Sequence, residues 1–579
     1  MYSLLRYQTV ERRSRDPLFW LVMLLGVVVL GAGIGLRDPW PVDEPRFALI
    51  AREMVHTGRW LFPHVAGVLY PDKPPLFIWS IASLYAVIGN IRLSFLLPSF
   101  LSGMACLWLI YDLGTRLWQR RVGALAALAL LLTLQFTLQA KRAQIDAMLC
   151  LWTTLALYGL CRHLLLGPAW RWYWGACVAM GLGVITKGVG FLPLLVLLPW
   201  AWGLRHEWHA LARPTGPAWR WALGPVLLLA TIGAWLVPML IAVATRHDPA
   251  LAAYRDNILF HQTAERYGES WHHLQPVWFY LVNIIPVFWL PLSVALPWLI
   301  PAWYRRWRRR DARFLLLLGW VVLVLIFFTA SPGKRGVYLL PAVPALALAA
   351  GPLLPGLIRL RRVRLTAFWL TLLPGLAGLA ALTWLFLARP GLAHELEVSY
   401  AIRPWAFLWT LSALPVLTAL VGRIRHALPA LAVFLCGLWL LYGLWGYPLV
   451  NDTQSARDVM TNVARATPDG SPVGLIGWRE QMVLQARQPV VHFGYRREDP
   501  DQEFMDALAW LVRAPDRWLL LKEDRVLPGC LDLTRGRDMG MRSDEHWLLV
   551  NQDALTPSCR EMARRRPVSD RTVRVPPLP

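Results

Sequence analysis

Several short polar breaks between long apolar runs carry residue types that can do chemistry. They are Asp43-Glu44, Asp72-Lys73 ahead of Pro74-Pro75, Asp146 after Lys141 and Arg142, Lys187, the group Arg266, Tyr267, His272 and His273, and Lys334-Arg335 with Tyr338. Carboxylates can orient a nucleophile, take its proton or stabilise positive charge. Lysine, arginine and tyrosine can hold a leaving oxyanion. Each group alone has a plain reading. Asp43-Glu44 can be a solvated pair and His272-His273 ordinary loop. Lys187 and Lys334 can reach polar head groups from an apolar setting. Asp146 can rest on the positive end of a helix. Ionisable residues near membrane depth are nevertheless costly, and the topology read below places all of these at one face. That convergence predicts a single cavity there.

The elements that must position them are membrane spans. Of 579 residues 56% are apolar and 16% charged, with 33 tryptophans and a mean hydropathy of +0.42. A soluble chain of this length needs more polar surface, and tryptophan favours membrane interfaces. The net charge of +23 admits a nucleic-acid partner, but the basic residues sit in short runs between apolar segments, the pattern of cytoplasmic loops. With about 20 apolar residues needed per span, spans are expected near 18–36, 93–111, 122–140, 146–162, 171–186, 188–204, 219–245, 277–300, 313–330, 336–357, 365–387, 404–421 and 427–447. The first, after Arg12, Arg13 and Arg15, reads as a retained span rather than a cleaved signal. Basic clusters at Arg116/Arg120/Arg121, Arg162/Arg171, Arg205/Arg213/Arg220, Arg305 to Arg310, Arg359 to Arg364 and Arg423/Arg425 then fall in alternate loops, so the chain after Tyr447 is predicted outside.

Leu76 to Ile88 is too short to span, and Phe47, Ile50, Ala51, Met54 and Val55 share one helical face. Interfacial helices are therefore expected at 44–60 and 76–88, resting on the membrane. Residues 448–563 alternate helix-like and strand-like runs, with strands expected at Val473–Trp478, Val490–Phe493, Trp518–Leu521 and Trp547–Val550. This predicts a small outer α/β domain. The Arg- and Pro-rich tail 564–579 reads as disordered. Five cysteines lie in apolar runs. Cys530 and Cys559 lie outside them and are expected to pair in an oxidising compartment. No internal repeat and no phosphate-binding loop of the nucleotide type is evident.

Val42-Asp43-Glu44-Pro45-Arg46-Phe47-Ala48, Gly58-Arg59-Trp60 with Pro63, and Tyr70-Pro71-Asp72-Lys73-Pro74-Pro75-Leu76 with Trp79 resemble the first outer loop of the bacterial lipid A aminoarabinose transferases. These are relatives of the protein O-mannosyltransferases and share the C-type glycosyltransferase fold. Ala143-Gln144-Ile145-Asp146 resembles the family's second acidic site. Thr186-Lys187-Gly188 and Ser331-Pro332-Gly333-Lys334-Arg335-Gly336-Val337-Tyr338-Leu339-Leu340-Pro341 resemble its later motifs. The resemblance covers roughly residues 18–345 and implies a polytopic α-helical enzyme of the bacterial inner membrane, with about thirteen spans and an outer α/β domain.

It also implies a reaction. A sugar on a polyprenyl phosphate enters from the outer leaflet, an acceptor attacks the anomeric carbon with inversion, and the polyprenyl phosphate leaves. Asp43 and Asp146 would be catalytic, and Lys73, Arg266, Lys334, Arg335 and Tyr338 would hold the donor phosphate. Glu44, Arg46 and Lys187 would contact substrate. Asp72 with His272 or His273 supplies ligand types for a structural zinc bridging two loops, which spacing leaves open. No other cofactor is required, and no nucleic-acid partner is expected. Around Lys334 the lipid A branch reads closer to Ser-Lys-Leu-Pro, so the sugar and the acceptor, a lipid or another envelope glycoconjugate, stay open. Transfer to protein and a lipid-linked sugar transporter are the alternatives. Charges at one face and the absence of a repeat favour the enzyme over the transporter.

Overall fold

The computed structural model describes residues 16–260, 274–400, 402–495, 499–542 and 545–577. Arg266, Tyr267, His272 and His273 lie outside these. Apolar runs become helices because a helix satisfies its own backbone polar groups where no water can. Seven helices among the described residues are long and apolar enough to cross a membrane, up to nine if each of two bent pairs is one span. The bent pairs are Arg120–Leu132 with Leu134–Ala140, at 72°, and Tyr280–Phe288 with Leu292–Arg308, at 108°. The expected spans fall on these helices and on shorter or less apolar ones such as Pro17–Gly31, Trp170–Lys187, Leu192–Arg205 and Gly336–Ala350. Small residues let the helices approach. A Cβ on Gly114 would come within 2.7 Å of the Gly123 Cα, so the helices Leu97–Leu117 and Arg120–Leu132 pack backbone to backbone.

The bundle has two distinct ends. At one, the basic loops bind each other. Arg313 Nη1 donates to Leu117 O at 2.8 Å, Arg310 Nη1 to His206 O at 3.1 Å, and Ala212 N to Leu164 O at 2.8 Å. Asp16, which caps its helix by accepting from Leu18 N at 3.2 Å, also accepts from the Tyr111 hydroxyl at 2.7 Å and lies 3.6 Å from Arg120.

At the other end sit the loop from Arg37 to Asn90 and the C-terminal domain. The loop holds the helices Glu44–Thr57 and Leu76–Ile88 and a hairpin of β1 (His64–Val65) and β2 (Val68–Leu69). The domain is a six-stranded sheet built from β3 (Val473–Leu475), β4 (Val490–His492), β5 (Trp518–Lys522), β6 (Arg537–Arg542), β7 (Glu545–Val550) and β8 (Val573–Val575), in the order β6-β7-β5-β3-β4-β8. β3 runs parallel to β4 and β5, and the outer pairings are antiparallel. Cys530 and Cys559 are disulfide-bonded across a separation of 29 residues.

Two expectations are corrected. The tail expected to be disordered supplies β8, whose Val573, Arg574 and Val575 pair with His492, Val491 and Val490. The edge of β4 offers backbone partners that the polar composition of the tail does not reveal. The domain therefore runs past residue 563. The helix Glu44–Thr57, expected to rest on the membrane, is instead buried within protein. Phe47, Leu49, Ile50, Ala51 and Met54 share one apolar cluster with Val459, Met460, Val473 and Leu475 of the domain. An apolar helical stripe is satisfied equally by lipid or by a sheet. Helix Leu76–Ile88 lies beside it and ends on the exposed Val87.

Candidate active site

Behind the first helix the chain is tied down by a buried ion pair. Arg37 grips both oxygens of Glu44, whose carboxylate also accepts from Trp40 N at 2.9 Å and from Ala143 N at 3.0 Å. Burial pushes the Glu44 pKa up, but the Arg37 charge and these hydrogen bonds hold it below the ordinary value. Glu44 was expected to contact substrate. It is a staple instead, with its acceptor sites taken, and it joins the residue after Asp43 to Ala143, just ahead of Asp146. Asp38 does a similar task toward the domain. It accepts from the Ser455 hydroxyl at 2.8 Å and from Arg457 Nε at 3.0 Å, and lies 3.1 Å from Arg92. Burial works against its charge, but Arg457 and Ser455 lower its pKa.

Asp43 precedes the helix Glu44–Thr57 and does not cap it. Its side chain is 40% exposed and is held from one side by Arg46 Nη1 at 3.2 Å. It is thus fixed yet open. Arg46, also expected to contact substrate, is buried behind Asp43. Its Nε donates to Glu480 Oε1 of the domain at 2.6 Å, so its charge is shared between Asp43 and Glu480.

Asp146 lies in the first turn of the helix Ile145–Leu165 and pairs with Lys187, the last residue of Trp170–Lys187. Lys187 Nζ sits 4.5 Å above the ring of Tyr338, the span of a cation–π contact. Tyr338 belongs to the 3-10 turn Gly336–Ala342. Gln135 Nε2 anchors that turn by donating to Gly336 O at 2.7 Å, and the Trp289 indole N–H holds Gln135 at 2.8 Å. Lys334 is buried and donates to Gln275 O at 3.0 Å.

The structure thus joins Asp146, Lys187 and Tyr338 in one cluster, carries Lys334 on the segment leading into Tyr338, and ties Glu44, next to Asp43, to Ala143 just ahead of Asp146. Asp72 and Lys73 are half-buried at the entry to Leu76–Ile88, and Arg335 is exposed. Among the described residues no group of three or more His, Cys, Asp or Glu could hold a metal ion. His272 and His273 lie outside them. The sequence reading missed Arg37, Asp38, Glu480 and Tyr495. The Arg37-Asp38 pair at the end of the first apolar run was the available signal. Nothing marks Glu480 or Tyr495 within a polar segment.

An open carboxylate held by an arginine, and a second paired with a lysine that sits over a tyrosine, lie at one end of a membrane bundle. That set suits substitution at a carbon bearing a phosphate leaving group. Residues 72–237 match the family described as dolichyl-phosphate-mannose-protein mannosyltransferase. The undecaprenyl phosphate-alpha-4-amino-4-deoxy-L-arabinose arabinosyl transferase 1 of Pseudomonas fluorescens is 33% identical over 446 residues, 74% of this chain and 75% of that protein. The corresponding transferase of Pseudomonas savastanoi pv. phaseolicola is 31% identical over 527 residues, 88% of each.

The chain belongs to the undecaprenyl phosphate-aminoarabinose arabinosyl transferase family.

It is a multi-pass membrane glycosyltransferase, and the enzyme reading stands over the transporter. The fold agrees. The crystal structure of ArnT from Cupriavidus metallidurans bound to undecaprenyl phosphate superposes with a TM-score of 0.73 at 22% identity, covering 94% of this chain and all of that one (100%). Its apo form gives 0.72.

Proposed function

We propose that this family member transfers 4-amino-4-deoxy-L-arabinose from undecaprenyl phosphate to a phosphate of a lipid A-like acceptor at the periplasmic face of the bacterial inner membrane. The sugar and its carrier are those in the names of the relatives. The observations that carry the reading are the open Asp43, whose neighbour Glu44 is bonded to Ala143 just ahead of Asp146, and the Asp146–Lys187–Tyr338 cluster. An acceptor oxygen attacks the anomeric carbon from the face opposite the leaving group. The bond to the carrier oxygen breaks, the electron pair stays on the departing phosphate, and the configuration inverts. Lys334 and the Tyr338 hydroxyl, with Lys73, Arg266 and Arg335, supply charge-assisted contacts to that phosphate. An acceptor phosphate is already ionised, so Asp43 orients it or offsets positive charge on the sugar. With a hydroxyl acceptor Asp43 takes the proton. Either role needs Asp43 ionised. The 4-amino group, cationic at neutral pH, suits an exposed carboxylate.

The periplasmic assignment rests on the basic loops, which belong on the cytoplasmic side, and on the disulfide at the opposite end, which belongs in an oxidising compartment.

Purified protein in nanodiscs, given the undecaprenyl-phosphate-linked amino sugar and lipid A, should yield aminoarabinose-modified lipid A by mass spectrometry. Asp43→Asn should lose turnover by at least about a hundredfold while expressing normally. A different glycosylated envelope product in cells carrying the gene, with lipid A unmodified, would keep the transferase and replace the acceptor.

A further inference from the structure

The open carboxylate is not held by the membrane bundle alone. Arg46 Nη1 lies 3.2 Å from Asp43 Oδ1, and Arg46 Nε donates to Glu480 Oε1 at 2.6 Å. Glu480 in turn accepts from the Tyr495 hydroxyl at 2.8 Å. Glu480 and Arg46 are both 7% exposed, so neither charge is satisfied by bulk water. The domain is locked onto the Arg37–Asn90 loop at further points, from the helix bearing Glu480 and from β4. Arg52 Nη1 donates to Leu484 O at 2.9 Å, and His492 Nε2 bonds Ala66 O at 2.8 Å. The domain therefore reaches the back of Asp43 through a rigid, desolvated chain of charge-assisted contacts.

The charge count gives this chain a consequence. A buried arginine whose sole counterion was Asp43 would close onto it in a two-point pair and draw the carboxylate away from the opening. Sharing Arg46 between two carboxylates leaves the triad with one net negative charge and leaves an Asp43 oxygen for a ligand. Resting on the catalytic reading of Asp43 above, we propose that Glu480, supported by Tyr495, is a positioning residue that acts through Arg46 to keep Asp43 open. The C-terminal domain is then part of the active site rather than an appendage.

The test uses the full-length protein in nanodiscs with the undecaprenyl-phosphate-linked amino sugar. Glu480→Gln keeps an acceptor for Arg46 and Tyr495 and removes the charge. It is expected to lower kcat about ten- to hundredfold with the donor KM changed less than about twofold, the signature of misplacement rather than lost binding. The other titratable groups facing Arg46 are Tyr70 and Tyr495, with Asp72 beyond Tyr70, and Glu480→Gln leaves all three in place. Glu480→Asp should recover most of kcat, and Tyr495→Phe should give a smaller loss in the same direction. Wild-type kcat in Glu480→Gln, with Asp43→Asn inactive, overturns the link alone. A kcat loss with a raised donor KM, a lowered Tm and no recovery in Glu480→Asp also overturns it, since that is a structural defect. An active Asp43→Asn removes the catalytic reading and this inference with it.

Discussion

Asp146 and Lys187 come from the start of one helix and the end of another, and their side chains are 14% and 12% exposed. At that burial, removing one partner strands the other charge at a cost of about 3–5 kcal/mol, while removing both can be nearly neutral. Asp146→Asn and Lys187→Met are each expected to lower Tm and abolish transfer. The double variant should recover much of the Tm and none of the activity. A double variant as unstable as either single one would remove the pairing from the stability argument.

Glu53 is another buried carboxylate, set apart from the Asp146–Lys187 pair. It is 6% exposed, hangs over the Ala66-Gly67 turn, and its Oε1 has no hydrogen-bond partner among the described residues. Burial raises its pKa to about 7 against the pull of the Gly67 and Ala66 amides and Arg59. The folded value lies above that of the unfolded chain, about 4.3, so the folded state holds the proton more tightly. The cost to folding is absent below the unfolded value, grows as pH rises, and is complete above about pH 7. Glu53→Gln should therefore raise folding stability near pH 8, by at most about 4 kcal/mol, with the gain in Tm fading toward pH 4. A gain that persists at low pH would assign it to packing instead. Asp43, Asp146, Lys187 and Tyr338 were legible in the sequence because a charge or hydroxyl stands out against apolar surroundings. Glu480, Tyr495 and Glu53 were not, because a polar residue in a polar segment carries no such contrast and its burial is decided by a partner far along the chain.

At the scale of elements, the same distinction separates what periodicity conveys from what it leaves open. The helical runs, β3, β4, β5 and β7 follow from apolar patterning. β6 and β8 do not, since Arg537–Arg542 and Val573–Val575 lie in arginine-rich stretches and become strands because β7 and β4 present open backbone edges. The amphipathic helix Glu44–Thr57 was legible as a helix but not as a buried one, because its stripe specifies an apolar partner without saying which. The disulfide ties the segment after β5 to the helix Pro557–Arg565, whose buried Cys559 and Ala563 pack under the sheet. A closure spanning 29 residues is worth about 3–4 kcal/mol in the chain-entropy model. Cys530→Ser with Cys559→Ser should lower the unfolding midpoint of the domain and speed its proteolysis. The membrane bundle, which shares no residue with that local core, should melt as before. Equal midpoints with and without reductant in the wild type would show that the bond contributes nothing.

For the whole molecule, the governing fact is the separation of the two ends. Arg310 and Arg313 meet loop carbonyls at one end, where Arg120 lies near Asp16. Arg37, Asp38, Asp43 and Arg46 bind within the Arg37–Asn90 loop and to the domain at the other, where Glu44 ties that loop to Ala143 just ahead of Asp146. The sequence reading of alternating basic loops anticipated this segregation without any distance, because the cost of moving arginine across a membrane sorts loops before the fold packs them. A loop rich in arginine resists translocation whatever it later binds, so the end of the bundle that holds Arg116–Arg121, Arg305–Arg310 and Arg359–Arg364 should stay in the cytoplasm. The chain after Tyr447 should then lie outside with Asp43. Reporter fusions after Arg121, Arg310 and Arg362 are expected to signal cytoplasm, and one after Tyr447 the periplasm. The Cys530–Cys559 bond gives an independent check in the untagged protein, because the pair should resist alkylation in intact cells until reductant is added. A cytoplasmic signal from the Tyr447 fusion, together with free thiols at both cysteines, would invert the orientation and place Asp43 on the side where nucleotide sugars rather than lipid-linked ones are at hand.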